Sequence, residues 1–330
     1  MLARGQKLNK KIFQKNVEKL PTRNGYGEGL LILGEENKNV VALCADLVES
    51  TRTEAFAKKY PERYIEMGVA EQNMALVASG LGVSGKIPYM ASYATFSPGR
   101  NWEQIRTTIS YNNSNVKIAG HHAGISVGPD GATHQALEDI ATMRVMANMR
   151  VIIPCDIHEA RKATVAASKI AGPVYLRFTR EATPVITTEE SPFNPGEAQI
   201  VWDSDRPRCA IIACGPLVYT AILAAKELEA EKIDTLVVNN HTVKPLDRAT
   251  ILSVAKRCGA VVTVEEHQIE GGMGSAVAEL LSKELPTIQE FVGMQGVFGE
   301  SGPPGVLAVK YGMDVKDIKS AVKKTLRRKQ

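Results

Sequence analysis

Short apolar runs alternate with stretches of helical periodicity along most of the chain. In the first half the runs are VVALCA (40–45), YIEM (64–67), IPYMAS (87–92), VKIAG (116–120), VIIP (151–154) and VYLRF (174–178). Between them, helical spacing marks 70–82, 100–111, 135–146 and 156–170. In the second half CAIIAC (209–214), TLVVNN (235–240) and AVVTVEE (260–266) read as strands, with helices near 217–231, 272–284 and 314–328. This alternation predicts an α/β fold of two doubly wound, mostly parallel sheets. Ser191-Pro-Phe-Asn-Pro-Gly196 is a turn-rich break. It divides the chain into a basic extension over 1–19, a first domain over 20–188, a linker over 189–198 and a second domain over 199–330.

The polar residues of the first half cluster after the predicted strands. Asp46 follows the first, Glu71 the second, and Tyr93 and Phe96 the third. His121 and His122 follow the fourth, Asp130 and His134 lie in the next loop, and Arg177 and Arg180 close the last. Ligands of open parallel sheets bind at the carboxyl ends of the strands. One edge of the first domain is therefore the expected active site.

The 70–81 helix is apolar nearly all round, which predicts burial. Glu71 opens it. Free backbone N–H groups there favour a carboxylate, an apolar pocket favours the neutral acid, and a plain helix-start acid needs neither. Glu66, on the preceding strand, is a rival for any proton-sharing role. The segment His121-His-Ala-Gly-Ile-Ser-Val-Gly-Pro-Asp-Gly-Ala-Thr-His-Gln135 holds three of the six histidines in a turn-rich loop. They are not all expected in the core, and their spacing matches no standard metal set. Asp and His together on a turn suit a polyhydroxylated substrate and proton transfer. Arg177-Phe-Thr-Arg180 reads either as a phosphate fork or as a surface ion pair.

Three resemblances to known motifs fail. Gly80-Leu-Gly-Val-Ser-Gly-Lys-Ile87 has Ile87 where a phosphate loop needs Ser or Thr, and it ends a helix. Gly271-Gly-Met-Gly-Ser-Ala-Val277 lacks the third glycine of a dinucleotide fingerprint, so tight helix–strand packing is expected. His158, His241 and His267 are read as structural.

Composition narrows the picture further. Aromatics make up 5%, which predicts aliphatic cores, and a net charge of +4 is too small to indicate nucleic acid. The basic ends, MLARGQKLNKKIFQKNVEKL and VKKTLRRKQ, read as solvated and partly helical, or as contacts for an acidic partner. No apolar run has the length of a membrane span, and the start lacks a signal-peptide pattern. Five scattered cysteines with no C-x-x-C pair fit reduced thiols in a cytoplasmic enzyme.

Pro21-Thr-Arg23, Ala45-Asp-Leu-Val-Glu-Ser50, Arg63-Tyr-Ile-Glu-Met-Gly-Val-Ala-Glu-Gln-Asn73, Ser92-Tyr-Ala-Thr-Phe96, Gly128-Pro-Asp-Gly-Ala-Thr-His-Gln135 and Gly172-Pro173 with Arg180 occur in this order. Taken together, they make the chain resemble the transketolase family from about Leu20 to the C-terminus, which is half of a family enzyme. The resemblance implies a pyrimidine-binding domain followed by the transketolase C-terminal domain. The family's preceding diphosphate-binding domain, with its Gly-Asp-Gly motif and Asn, has no counterpart here. Gly128-Pro-Asp-Gly131 is a different motif at a different place.

The implied enzyme is split. This C-terminal subunit would work with an N-terminal subunit that binds Mg2+ or Ca2+ and the diphosphate of thiamine diphosphate, in an α2β2 heterotetramer. The implied reaction moves a two-carbon ketol unit between ketose and aldose phosphates. Residue by residue, the resemblance assigns Glu71 to the N1′ atom of the cofactor's aminopyrimidine, Phe96 and Tyr93 to its pocket, and Asp46 to the subunit interface near it. Arg100 stands where a related deoxyxylulose phosphate synthase also has arginine, within Ser97-Pro-Gly-Arg100, which replaces a more aromatic run. His122, His134 and Asp130 are assigned to the reacting hydroxyls, and Arg23, Ser50 and Arg180 to the sugar phosphate. Further histidines would come from the partner, and no metal ligand is expected in this chain. The alternatives are a deoxyxylulose phosphate synthase-like subunit, a 2-oxo acid dehydrogenase β subunit, or a non-catalytic assembly subunit.

Overall fold

The computed structural model describes residues 1–329; Gln330, the last residue of the expected second domain, lies outside the described residues. The first half runs β1 (Lys19–Pro21), α1 (Thr22–Glu36), β2 (Val40–Cys44), α2 (Glu54–Lys59), β3 (Tyr64–Glu66), α3 (Glu71–Val83) and β4 (Ile87–Tyr93). Next come α4 (Trp102–Gln104), which passes into a π-helix over Ile105–Ser110, then β5 (Lys117–His121), α5 (Asp139–Arg144) and β6 (Arg150–Ile152). It closes with α6 (Ile157–Ser168), β7 (Val174–Arg177) and β8 (Ala182–Pro184). The second half contains β9 (Gln199–Trp202), β10 (Cys209–Ala213), α7 (Leu217–Ala230), β11 (Thr235–Asn239), β12 (Thr242–Lys244) and α8 (Arg248–Cys258). It ends with β13 (Ala260–Gln268), α9 (Met273–Glu284), β14 (Ile288–Met294), α10 (Pro304–Lys310) and α11 (Val315–Arg328).

Every strand read from an apolar run is present. They build one seven-stranded sheet, ordered β12-β6-β7-β5-β4-β2-β3, and one five-stranded sheet, ordered β14-β13-β10-β11-β9. Neighbours are parallel except for β12 on β6 and β9 on β11. The strands missed by periodicity are short or peripheral: β1 and β8 form a separate two-stranded ribbon, and β9 and β14 are edge strands. Periodicity also missed two long helices, α1 with 15 residues and α8 with 11. The first sheet also takes its edge strand, β12, from beyond the linker. One apolar cluster accordingly runs through both halves, joining Met90, Ile118 and Tyr175 to Ile212, Leu236 and Val261.

Several expectations are corrected. The 1–19 extension is not a solvated arm. Leu8 and Ile12 are buried with Trp202, Ala3 N–H donates to Val201 O at 3.1 Å, and Tyr219 Oη donates to Ile12 O at 3.0 Å. At the other end, α11 buries Ile318, Val322 and Leu326, and its basic residues Lys319, Lys323, Lys324 and Arg328 pair with Glu227, Glu231 and Glu290. The helix expected over 135–146 begins only at Asp139. Helix α3 is buried on one face only, because Leu76, Val83 and the preceding Val69 are exposed. The first half also has an aromatic core in addition to aliphatic ones: Tyr26 packs on Tyr89, Phe178 and His121.

Helix α1 lies against α6 through Gly25 and Gly29. A Cβ on Gly25 would collide with Ile157 O and sit 2.8 Å from Ala160 Cβ. Gly25→Ala is therefore expected to cost about 1–3 kcal/mol of stability through overpacking, read as a lower urea midpoint. The contact fixes Arg23, in the first turn of α1, over the carboxyl edge of the sheet. Thr22 ties the same turn to the loop after β7, its hydroxyl accepting the Thr179 N–H at 2.7 Å.

Candidate active site

In the first sheet the strand order departs in both directions from β2, to β3 on one side and β4 on the other. The crevice at the carboxyl ends there is where an open α/β sheet takes its ligand. Loops after β2, β4, β5 and β7 bring most of the expected residues to this edge.

At one end, Glu71 is buried at 2% exposure and its Oε2 accepts Arg100 Nη1 at 2.7 Å. Asn101 Nδ2 donates to the backbone O of Glu71 at 3.0 Å, which fixes the start of α3. The Arg100 guanidinium lies 4.8 Å from the centre of the Phe96 ring. Phe96 meets His134 edge-on at 5.5 Å, while Tyr93 stacks on His122 at 3.9 Å.

At the other end, Arg23 Nη1 donates to Ser50 O at 2.9 Å and lies 3.5 Å from His122 Nε2. Arg180 Nη1 reaches Asp130 Oδ2 at 3.3 Å and Val127 O at 3.2 Å. Thr133 Oγ1 stands 2.9 Å from His134 Nδ1. Arg23 Nε and His122 Nδ1 are buried without hydrogen-bond partners. Such orphaned polar atoms are costly unless a ligand or water satisfies them.

Burial pushes the His122 imidazolium down to about 3, helped by Arg23, Arg180, His134 and Arg52. An unfolded histidine takes its proton near pH 6.5. As pH falls through that value, the unfolded state gains a proton that the folded state refuses, so this residue withdraws stability in acid. The His122 ring is expected to stay neutral from about pH 8 down to about pH 5 in nitrogen-15 NMR spectra, as a hydrogen-bonding group without net charge.

The remaining expected residues separate from this cluster. Asp46 is exposed; its N–H donates to Glu66 Oε1 at 2.8 Å. Glu66 is also exposed and is held by the Gly68 N–H at 2.9 Å and the Tyr64 hydroxyl, so its contacts are those of a loop brace. His121 is fully buried in the aromatic core, away from the expected loop surface. Arg177 is neither a phosphate fork nor a surface ion pair. It is 3% exposed and its Nε donates to Asp139 Oδ2 at 2.8 Å. Arg52 was not singled out by sequence; its Nε donates to Asn24 Oδ1 at 3.0 Å and its charge bears on both Arg23 and His122. Only its nearness to Ser50 in the chain hinted at this.

The glycine run before α9 has no room for a dinucleotide. Glu265 fills the helix start, accepting the N–H groups of Met273 at 2.6 Å and Gly274 at 2.8 Å. A Cβ on Gly274 would lie 2.6 Å from Thr263 Oγ1, so the packing expectation holds. Gly80 to Gly85 ends α3 as expected.

The residues at the Glu71 end fit the aminopyrimidine of thiamine diphosphate. A buried carboxyl group keeps Oε1 free of hydrogen bonds among the described residues, and an aromatic ring stands beside its partner Arg100. Among the described residues no group of three or more His, Cys, Asp or Glu is placed to hold a metal ion.

The pyrimidine-binding domain model of transketolase matches residues 18–185, and the transketolase C-terminal domain model matches 196–318. A Methanocaldococcus jannaschii chain inferred to be a transketolase C-terminal section is 42% identical over 93% of this chain and 96% of its own length. The 6-deoxy-6-sulfo-D-fructose transketolase subunit SqwH of Clostridium sp. (strain MSTE9) is 36% identical over 96% of this chain and 98% of its own. A solved split-gene transketolase, an inactive β4 tetramer, superposes with a TM-score of 0.88 at 45% identity, covering 94% of this chain and 100% of that one. Human transketolase is 34% identical over 93% of this chain but only 49% of its own length, so the chain spans about half of such single-chain relatives. This chain belongs to the transketolase family, of which it carries the pyrimidine-binding and C-terminal domains.

Proposed function

We propose that this chain is the C-terminal subunit of a split transketolase that transfers a two-carbon ketol unit between ketose and aldose phosphates when joined to a separate N-terminal chain. The observation that carries this reading is the pairing, on one sheet edge, of a buried carboxyl at residue 71 with a cationic end built from Arg23 and Arg180 around a neutral His122. Thiamine diphosphate, when bound, supplies the carbon nucleophile.

The chain's own residues do the rest. Glu71 shares a proton with N1′ of the aminopyrimidine, and Arg100 holds its second oxygen. Phe96, with Tyr93 stacked near it and Arg100 over its ring, offers an aromatic wall for the pyrimidine. Neutral His122, with His134 and Asp130, hydrogen-bonds the substrate hydroxyls. Arg23 and Arg180 grip the phosphate, with Ser50 holding Arg23 in place. Asp46 takes the subunit interface near the cofactor. The Mg2+ or Ca2+ ion and the diphosphate belong to the partner. Five buried free thiols suit a reducing, cytoplasmic compartment, and no helix among the described residues is long and apolar enough to cross a membrane. The exposed apolar face of α3 supports assembly, and α2β2 is the state proposed.

The isolated chain is expected to be inactive and to bind thiamine diphosphate weakly. Addition of the N-terminal chain is expected to restore both calorimetric binding and turnover of xylulose 5-phosphate with ribose 5-phosphate. Full activity of the chain alone would exclude the split enzyme, and decarboxylation of pyruvate would favour the synthase or dehydrogenase alternatives. The SqwH likeness favours one further substrate, because a sulfonated sugar presents its anion to the same cationic end.

A further inference from the structure

The loop over 121–135 carries His122, Asp130 and His134, and its inner side rests on the second half of the chain. Glu266, near the end of β13, is 6% exposed, and its Oε1 accepts the Ser126 N–H at 2.6 Å. Gln135 Nε2 donates to Glu300 O at 3.0 Å and to Ile125 O at 3.2 Å, which ties the loop's far end to the segment before α10. Gly124 and Gly131 have φ values of +90° and +72°, and a Cβ on either would collide with Glu266 or with Ser301. No residue with a side chain fits at these two places. Arg177 fixes the other side of Glu266, its Nη2 donating to the Glu266 backbone O at 2.9 Å. A carboxylate buried this deeply is costly unless it is held and used.

We propose that Glu266 is a positioning residue. Its carboxylate pins the backbone at Ser126 and so sets where His122, Asp130 and His134 stand relative to Arg23 and Arg180. The kinetic part of this inference rests on the ketol-transfer reading; the structural part does not. The second half of the chain thereby acts on the substrate end without touching substrate.

The test compares Glu266→Ala, which removes the acceptor, with Glu266→Gln, which keeps an oxygen at the same place. Amide hydrogen exchange of 122–134 is measured on the full chain, alone and with its partner, beside steady-state kinetics on xylulose 5-phosphate and ribose 5-phosphate. Glu266→Ala is expected to speed exchange in this loop roughly tenfold or more, leave β10 and β11 protected, and lower kcat/KM by roughly ten- to a hundredfold. Glu266→Gln is expected to recover most of both. Unchanged loop exchange in Glu266→Ala, or faster exchange with unchanged kcat/KM, overturns the proposal, as does equal damage in both variants. If Glu266→Ala does not fold, Glu266→Asp, one methylene shorter, replaces it with the same criteria. If the wild-type pair shows no ketol transfer, the functional reading fails while loop exchange still decides the positioning role.

Discussion

Glu71→Ala is expected to lower the turnover of the reconstituted enzyme by about 10²- to 10⁴-fold, the range for loss of a group that moves a proton in the rate-limiting step. Stability should change little, for a reason visible in the structure. Glu71 is buried, but its partner Arg100 is 47% exposed. Removing the acid strands no buried charge, because water solvates the released guanidinium. The effect therefore falls on chemistry, and unfolding free energies of the variant and the wild-type chain from urea titrations should agree within about 1 kcal/mol. Glu71→Gln retains the shape and a hydrogen bond but cannot share its proton, and it should be nearly as slow. A Glu71→Ala chain with full turnover beside its partner would remove the proton-sharing role and revive the assembly-subunit alternative.

Asp139→Ala presents the opposite case, a large cost in stability. Asp139 and Arg177 have side-chain exposures of 1% and 2%. Arg177 reaches both carboxylate oxygens, at 2.8 and 3.2 Å, and Tyr175 Oη donates to Oδ2 at 2.6 Å. Burial alone would push the Asp139 carboxyl up, but Arg177 overcomes it and holds the acid ionised below its usual value. Deleting the acid leaves a buried guanidinium without its hydrogen-bonded counter-charge, a loss of about 3–5 kcal/mol. The measurement is guanidinium chloride unfolding of the single variant and of Asp139→Leu combined with Arg177→Met. The double variant, with no stranded charge, should recover a large part of the loss. A single variant within about 1 kcal/mol of wild type would show that water or rearrangement satisfies Arg177.

Much of the site was legible because open sheets bring strand ends together. Glu71, Tyr93, Phe96, His122 and Arg180 each follow a strand that periodicity located, so their meeting at one edge needed only parallel order. The failures have one physical origin: chain spacing does not report depth. Arg177 and Arg180 look alike in sequence, but Arg177 still belongs to β7, packed against α5, whereas Arg180 lies three residues on in an open loop. His121 and His122 are adjacent, yet His121 ends β5 among Tyr26 and Phe178 while His122 has turned towards Arg23 and Tyr93. The apolar circumference of α3 was legible, but an apolar face left exposed gives the same sequence signature as one packed in a core. Strand β12 was missed because it is three residues long and borrowed across the linker.

That borrowed strand bears on modularity. The two family domains follow each other in sequence, yet β12 closes the edge of β6 from the far side of the junction. A chimaera that exchanges everything after the junction also exchanges the outermost rung of the first sheet. Such a graft must match the β6 backbone as well as the buried interface between halves, or it leaves a bare strand edge open to foreign pairing. The halves are thus structurally coupled, and exchanging one of them is more constrained than their tandem order implies.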